Sequence, residues 1–459
     1  MTRVLAASVL ISFLLSFEAS LQAQEGSKIE LWKRPSNFRG FVISPNVPIS
    51  QQDMLDVKSF GATLAYIATD GFRSPTAPYQ EDSENIQALD DRIAYCRAAG
   101  LHYAIAVRQG PGRYDVALEG TGADPPSTIW YNPSEQQLYG SMLREITARY
   151  CSDTLCAGIT PTVEPDPFFD SLCCIDTSQF EYYAKRNGVD LTATTQLWVD
   201  SIRAASPDIP ILIQGPGYTN PTLFSLVPII LDSNVVYEFH DYHPTGFTEA
   251  ADTAQVVYPG AYLEAINSML EMAQYDKTFI ADTLLYFVSQ VEQETHAPIF
   301  MGEFGMTYPH SGGPQFLADM SSIAIEKGWD FTYFDYWHRP PSTDVQSYDY
   351  KDWDSSYWSG ILASFQQGSE SVRTPDVESS TLRILQDAEG GELLVNWSGE
   401  ASISAIHGTI YDLVGRPVKS FDRTSRNFTI GTTGLTPEAY FMLLSSGEDR
   451  VSALFSTAR

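Results

Sequence analysis

Short apolar or β-branched runs alternate with longer stretches of helical spacing over the first 365 residues. The short runs predict eight strands, at Gly40–Ser44, Thr63–Ala68, Tyr103–Val107, Gly158–Val163, Ile211–Gln214, Val235–His240, Ile299–Glu303 and Phe331–Trp337. The longer stretches predict helices, at Gln51–Phe60, Asn85–Ala99, Glu135–Tyr150, Thr194–Ser206, Lys277–Glu294 and Gln315–Lys327. This alternation predicts an α/β fold, a (β/α)8 TIM barrel, in which catalytic groups lie at the carboxyl ends of the strands.

The pattern changes after Phe365. Residues 366–380 are polar and lose the helical spacing, which is typical of a linker. Short alternating runs follow, such as Leu393–Trp397 and Tyr440–Ser445, and they predict a small all-β sandwich over 381–459. The barrel is therefore expected over 24–365.

The N-terminal residues 1–23 have the pattern of a secretory signal peptide. Arg3 precedes an apolar run from Val4 to Phe17, and small residues follow at Ala19 and Ala23. The run is shorter than the roughly 20 residues of a membrane span, and no later stretch of similar length is free of charges and turns. We therefore expect an exported protein, secreted or held at the cell surface, without a membrane span.

Composition narrows the function classes. The chain is 43% apolar, and its 57 acidic against 28 basic residues give a net charge of −29. Such a charge repels the phosphates of nucleic acids, so nucleic-acid binding is not expected. A neutral polysaccharide would not be repelled in this way.

Four of the five cysteines are close together in the sequence. Cys151, Cys156, Cys173 and Cys174 lie within one segment, while Cys96 is separate. In an exported protein, the cluster favours one or two disulfides whose pairing the sequence leaves open; reduced core cysteines are the alternative. Cys96 is expected to be a buried free thiol.

Two predicted strands end in a glutamate. Glu164 follows the fourth strand, just before Pro165, and Glu303 lies in the sequence Gly302-Glu-Phe-Gly305 at the end of the seventh. Two carboxylates that face one cleft can cleave a glycosidic bond, one as an acid and the other as a nucleophile. A single glutamate of this kind is more often a surface residue, so the prediction rests on the pair.

The sixth predicted strand ends with polar residues that can support these carboxylates. His240 and Tyr242 are two positions apart and therefore share one face of the strand. They could hydrogen-bond the glutamates and orient them. A metal pair of His240 with His243 is the alternative, but no third ligand is evident and no metal is predicted.

These motifs resemble glycoside hydrolase family 5, the cellulase-like family of retaining (β/α)8 glycosidases, over roughly 38–365. The matching features are Glu164-Pro165, His240-x-Tyr242 and the Gly-Glu-Phe-Gly sequence around Glu303. The resemblance implies that Glu164 is the acid/base and Glu303 the nucleophile.

The chain departs from the family pattern at several strand ends. Val163 stands where the family has an asparagine before the acid/base, Tyr66 where it has an arginine, and Arg108 where it has a histidine. The family's last-strand tryptophan aligns with Phe334 or Trp337. All but Val163 are candidates for orienting substrate, and the departures imply a divergent member.

The function expected from the resemblance is retaining hydrolysis of a β-linked polysaccharide, a glucan or a mannan, without a cofactor. The carboxyl groups should then be about 5–5.5 Å apart. The alternatives are a catalytically impaired barrel that only binds glycan and a glycosidase of a neighbouring family.

The C-terminal residues resemble the sorting domain of type IX secretion. The resemblance rests on Gly408-Thr-Ile-Tyr-Asp-Leu-Val-Gly415, Gly434-Leu-Thr-Pro-Glu-Ala-Tyr440 and Ala453-Leu-Phe. It implies the secretion machinery as a partner. A carbohydrate-binding or spacer sandwich is the alternative.

Overall fold

The computed structural model describes the barrel region at residues 27–45, 47–114, 127–167, 177–251, 254–266, 269–307, 310–336 and 355–366. Towards the C-terminus it describes 381–386, 392–398, 405–412, 417–425, 427–433, 435–436, 439–446 and 449–456. The predicted signal peptide and residues 367–380 of the predicted linker lie outside these residues. The chain divides into two compact units, 1–371 and 372–459.

Eight parallel strands close into a barrel in the first unit, which confirms the predicted fold. In spatial order they are β1, β10, β9, β6, β5, β4, β3 and β2. Their bounds are β1 Arg39–Ile43, β2 Leu64–Thr69, β3 His102–Val107, β4 Cys156–Thr160, β5 Ile211–Gln214, β6 Val235–Asp241, β9 Ile299–Phe304 and β10 Asp330–Tyr333. The numbers β7 and β8 belong to an antiparallel hairpin, Gly260–Ile266 and Met269–Tyr275, inserted after β6.

Helices follow most barrel strands. The described helices are α1 Ile29–Trp32, α2 Gln51–Ser59, α3 Ser83–Ala99, α4 Pro133–Tyr150, α5 Thr177–Asn187, α6 Leu191–Arg203, α7 Pro216–Thr219, α8 Thr245–Thr248, α9 Lys277–Phe279, α10 Tyr286–Thr295, α11 Gly313–Lys327 and α12 Ser355–Gln366. Side-chain caps fix several starts: Ser50 and Asp53 form a capping box at α2, and Asp82 caps α3. The helix predicted over 277–294 is instead interrupted by a π-helical turn at Ile280–Leu284.

Alternation along each strand divides the core of the barrel unit in two. Val42, Leu64 and Phe300 point into the barrel, whereas Phe41 and Ile43 pack outward against the helices. The short helix α1 supplies Trp32 to the inner cluster, and its indole Nε1 donates to the carbonyl of Ala157 at 2.9 Å. The barrel is thus a packed core rather than a pore.

The second unit is built from antiparallel strands, as predicted. A three-stranded sheet contains β11 Thr381–Gln386, β12 Glu392–Ser398 and β15 Asn427–Gly431, in that order. A four-stranded sheet contains β14 Pro417–Arg423, β13 Ile406–Asp412, β16 Ala439–Ser446 and β17 Asp449–Ser456. Its core includes Trp397, Ile410 and Met442.

Three cysteines can be placed. Cys96 is a buried free thiol, as predicted. Its burial is the main reason that its pKa is raised to about 12. Cys151 and Cys156 are also buried and free, with their sulfurs 3.7 Å apart. Cys173 and Cys174 lie outside the described residues. In the described part of the chain, no helix is long and apolar enough to cross a membrane.

Candidate active site

The carboxyl ends of β4, β6 and β9 bring the predicted site residues together. Glu303 lies within β9, His240 lies within β6, and the two are paired in register across the sheet. Tyr242 directly follows β6. Glu164 lies four residues past β4 in the left-handed region, at φ 48°, an unusual conformation for a residue other than glycine.

Backbone contacts fix the turn that carries Glu164. Its amide donates to Gln214 Oε1 at 2.5 Å, and Gln214 Oε1 also accepts from Thr219 Oγ1 at 3.0 Å. On the other side, Arg113 Nη2 donates to the carbonyls of Val163 and Glu164 at 3.0 and 3.2 Å. These contacts hold Glu164 in a conformation that local propensity disfavours.

Glu303 is almost completely buried and is surrounded by donors. Tyr242 OH donates to Oε2 at 2.8 Å, and Arg108 Nη1 lies 3.9 Å from Oε1. The pKa of Glu303 is raised to about 7. Burial is the main cause and the charge of Glu164 adds to it, whereas His240, Arg108 and Tyr242 oppose the rise.

His240 lies between the two glutamates. Its Nδ1 is 2.9 Å from Glu164 Oε1 and 3.5 Å from Glu303 Oε2. Burial would lower the pKa of His240, but the surrounding carboxylates outweigh it and raise this pKa to about 10. The imidazole is therefore protonated at neutral pH and is a cation shared by both carboxylates.

A third carboxylate lies beneath the histidine, inside the barrel. Glu238 is fully buried and its Oε1 is 3.3 Å from His240 Nε2. Tyr66 OH donates to Glu238 Oε1 at 2.6 Å, and Thr160 Oγ1 lies 2.9 Å from Oε2 and 2.7 Å from the Tyr66 hydroxyl.

The other predicted residues divide into three groups. Arg108 lies beside Glu303, and Phe334 lies near the site, with its ring 6.4 Å from that of Tyr242. Tyr66 is fully buried and contacts Glu238, deeper than the substrate-facing position we expected. Trp337 lies outside the described residues.

Sequence reasoning missed Glu238, Gln214 and Arg113. A signal existed for Glu238, because it is two positions before His240 and therefore shares its face of β6. Gln214 ends the fifth predicted strand, which could have marked it. Nothing in the sequence pattern indicates that Arg113 folds back onto the turn of Glu164.

Donor atoms of Glu164, His240 and Glu303 lie within 4.8 Å of one another, a spacing that could hold a metal ion. However, His240 Nδ1 faces two carboxylates directly, so that nitrogen carries a donated hydrogen rather than a free lone pair. His243, the alternative metal partner, is hydrogen-bonded through Nδ1 to Asp241 at 2.9 Å. The arrangement is that of an acid–base site with direct hydrogen bonds.

Comparison with known proteins finds a family match within the barrel. Residues 176–340 match the family Cellulase (glycosyl hydrolase family 5). No curated protein is significantly similar to the chain.

Solved structures share the barrel fold. A hyperthermophilic endo-beta-1,4-glucanase in complex with substrate is 16% identical, with a TM-score of 0.52, 73% of this chain covered and 99% of that chain. Cel5A of Thermotoga maritima in complex with mannotriose is 14% identical, with a TM-score of 0.52 and coverages of 72% and 99%. The cellulose synthase subunit Z of Clostridioides difficile is 16% identical, with a TM-score of 0.51 and coverages of 71% and 99%. Together with the carboxylate site and this shared fold, the family match identifies the barrel as a glycoside hydrolase domain similar to those of glycosyl hydrolase family 5.

Proposed function

We propose that the barrel hydrolyses a β-linked polysaccharide by a retaining, double-displacement mechanism. The observation that carries the proposal is the pair Glu164 and Glu303 near the carboxyl ends of β4 and β9. One carboxylate oxygen of Glu164 lies within 4.8 Å of one carboxylate oxygen of Glu303. Retaining enzymes hold their carboxyl groups about 5–5.5 Å apart, and inverting ones about 6.5–9.5 Å apart. An oxygen–oxygen distance within 4.8 Å favours the retaining arrangement.

The surroundings of the two carboxylates favour Glu303 as the nucleophile. Tyr242 donates a hydrogen bond to Glu303, and Arg108 places a positive charge near it. Both interactions stabilise the anionic form of Glu303. Glu164 is the more exposed of the pair and is well placed to exchange protons with a leaving group and with water. In this mechanism Glu303 attacks the anomeric carbon while Glu164 protonates the leaving oxygen, and Glu164 then activates water.

The charge state of the site suits this chemistry near neutral pH. The first step needs one proton on the carboxylate pair, with Glu303 ionised. Because the pKa of Glu303 is raised to about 7, its ionised form becomes populated as the pH rises through this value. Activity should therefore decline as the pH falls below neutrality.

The substrate class is inferred from similarity. The structural neighbours include an endo-beta-1,4-glucanase with substrate and a protein that was solved in complex with cellobiose and, in another structure, with mannotriose. We infer a β-linked glucan or mannan. Val163, at the position of the family's asparagine, is buried in the inner cluster. A contact with the sugar 2-hydroxyl therefore needs another group of this chain.

The first test is release of reducing sugar from cellulose, mixed-linkage glucan, mannan and xylan. We expect release by the wild type from at least one substrate and a loss of about 10³-fold or more in Glu303→Gln and Glu164→Gln. Release from none of them by a folded wild type would contradict this substrate class and favour a glycan-binding barrel.

A second experiment separates the two roles. With an activated aryl glycoside and azide, a Glu303→Gly variant should form the glycosyl azide of inverted configuration. A Glu164→Gly variant should form the azide of retained configuration, because its nucleophile is still present. The opposite pattern would exchange the two assignments.

We also propose that the protein is exported and that its C-terminal unit acts as a type IX sorting domain. Sequence resemblance supports this role, and the alternative as a sugar-binding module lacks a platform at Trp397, which is only 2% exposed. Removing 372–459 should stop release into the medium from a host with this secretion system. Unchanged release would contradict the proposal.

A further inference from the structure

We propose that Glu238 is a positioning residue of the catalytic site, which holds His240 protonated and oriented between Glu164 and Glu303. The inference deepens the proposed function, because it concerns the same site. Glu238 is too deeply buried to touch substrate, so its effect must pass through His240.

The barrel interior is arranged around this carboxylate. Glu238 Oε1 lies 3.3 Å from His240 Nε2, and the hydroxyls of Tyr66 and Thr160 lie within hydrogen-bonding distance of its two oxygens. Gly302, on the neighbouring strand β9, leaves the necessary space: a Cβ there would lie 2.1 Å from Glu238 Oε1. A buried carboxylate without a counter-charge is costly, and protonated His240 provides one.

The orientation of the imidazole follows from its two nitrogens. A proton on Nε2 faces Glu238, and the proton on Nδ1 then faces Glu164 at 2.9 Å. Gln214 Nε2 also lies 3.3 Å from His240 Nε2, but its amide oxygen is already taken by Glu164 N and Thr219. The amide nitrogen is itself a donor, so Glu238 is the acceptor for an Nε2 proton.

This arrangement has a catalytic consequence. When Glu164 has given its proton to the leaving oxygen, it becomes a carboxylate whose Oε1 lies 2.9 Å from Nδ1 of His240. Protonated His240 stabilises the ionised forms of both catalytic glutamates. Without the charge of Glu238, His240 would lose its proton more readily, and both glutamates would be harder to ionise.

The test compares Glu238→Gln with the wild type in two ways. NMR of ¹³C-labelled histidine should show the pKa of His240 lowered by about 1–3 units in the variant, with its signal assigned by loss in His240→Gln. In kinetics, kcat should fall about tenfold or more, with KM little changed, and the acidic limb of the pH profile should move to higher pH. The other groups that act on His240 are Glu164, Glu303 and the amide of Gln214, and the variant leaves all three in place. Arg108 and Tyr242, which contact Glu303, and Tyr66, which contacts Glu238, are also unchanged.

Asp330→Asn is the matched control. Asp330 is another buried carboxylate of the barrel, in β10, and it accepts from the amide of Phe38 rather than from a site residue. This variant should leave the titration of His240 and the pH profile unchanged. Glu238→Asp keeps the charge at a longer distance, so its pKa and kcat should lie between those of the wild type and Glu238→Gln.

These experiments separate failure of the Glu238 inference from failure of the proposed function. An unchanged His240 titration in Glu238→Gln, or equal loss of activity in the glutamine and aspartate variants, would overturn the inference. If the glutamine variant does not fold, the aspartate variant decides by the same titration. If the wild type cleaves no substrate, the proposed function fails, and the NMR titration still decides the role of Glu238.

Discussion

At the scale of single residues, the site depends on a glycine that carries no chemistry. Gly302 precedes the proposed nucleophile and leaves room for the carboxylate of Glu238. A methyl group at this position would contact the carboxylate at 2.1 Å, so either β9 or Glu238 must move. Both changes disturb the geometry of Glu303 and His240.

We therefore expect Gly302→Ala to lower the free energy of unfolding by about 1–3 kcal/mol and to reduce kcat strongly. Denaturant unfolding and initial rates check this. Gly215→Ala is the control, because a Cβ there meets Val227 at an ordinary 3.5 Å. Equal effects of both substitutions would show that the space beside Glu238 is not special.

Arg108 provides a pH-dependent prediction. It lies 3.9 Å from Glu303 Oε1 and is one of the groups that lower the pKa of that carboxyl group. In the proposed mechanism Glu303 acts as an anion, so activity should be lost as the pH falls through its pKa of about 7. Removing the positive charge raises that pKa further.

Arg108→Met should thus move the acidic limb of kcat/KM to higher pH by about one unit. A pH profile in constant ionic strength measures the shift. Arg149→Met, which removes an exposed arginine paired with Asp90, should leave the limb in place. A shift to lower pH in Arg108→Met would contradict the electrostatic role.

At the scale of elements, the alternation of short apolar runs and helices was sufficient to predict the eight barrel strands. Parallel strands buried on both faces are nearly continuous apolar runs, which makes them easy to recognise. Their ends were less well predicted. The strand predicted to end at Val163 ends at Thr160, because Pro161 has no amide hydrogen to continue the ladder.

Elements inserted between barrel units were missed. The hairpin of β7 and β8 contains residues such as Glu264 and Glu271, so its pattern does not stand out as a strand pair. The candidate carboxylates Glu164 and Glu303 were predictable because each lies near the carboxyl end of a predicted strand. The Tyr66, Thr160 and Glu238 contacts were not, because they join side chains from three strands across the barrel interior.

The turn between α4 and β4 carries a prediction on redox state. The sulfurs of Cys151 and Cys156 are 3.7 Å apart, and a disulfide needs about 2.05 Å. In an oxidising compartment we expect these two to join, which would close a short loop and stabilise the fold by about 2 kcal/mol.

Peptide mapping without reductant should find Cys151 linked to Cys156, and Cys151→Ser/Cys156→Ser should melt at a lower temperature than the oxidised wild type. Cys96→Ser is the control for loss of a buried thiol. Linkage of either cysteine to Cys173 or Cys174, or no linkage at all, would contradict this pairing.

At the scale of the whole molecule, the net charge of −29 bears on the choice of substrate. A negatively charged polymer such as carboxymethylcellulose is repelled by this field, whereas neutral mixed-linkage glucan is not. Salt screens the repulsion over a Debye length of about 10 Å at 0.1 M.

Raising the salt from about 10 to 150 mM should therefore lower KM for the carboxymethylated polymer several-fold. KM for the neutral glucan should stay nearly constant and serves as the control. An equal response of both substrates would mean that charge plays no part in substrate approach.

The closure of the barrel by its first and last strands has a consequence for biosynthesis. Arg39 of β1 pairs with Phe331 of β10, and the amide of Phe38 donates to Asp330, 292 positions later. During translation, β1 can therefore pair with β10 only after nearly the whole barrel sequence has left the ribosome. Until then, β1 has an unpaired edge that other chains can join, so chaperone protection is most needed before residue 331 emerges.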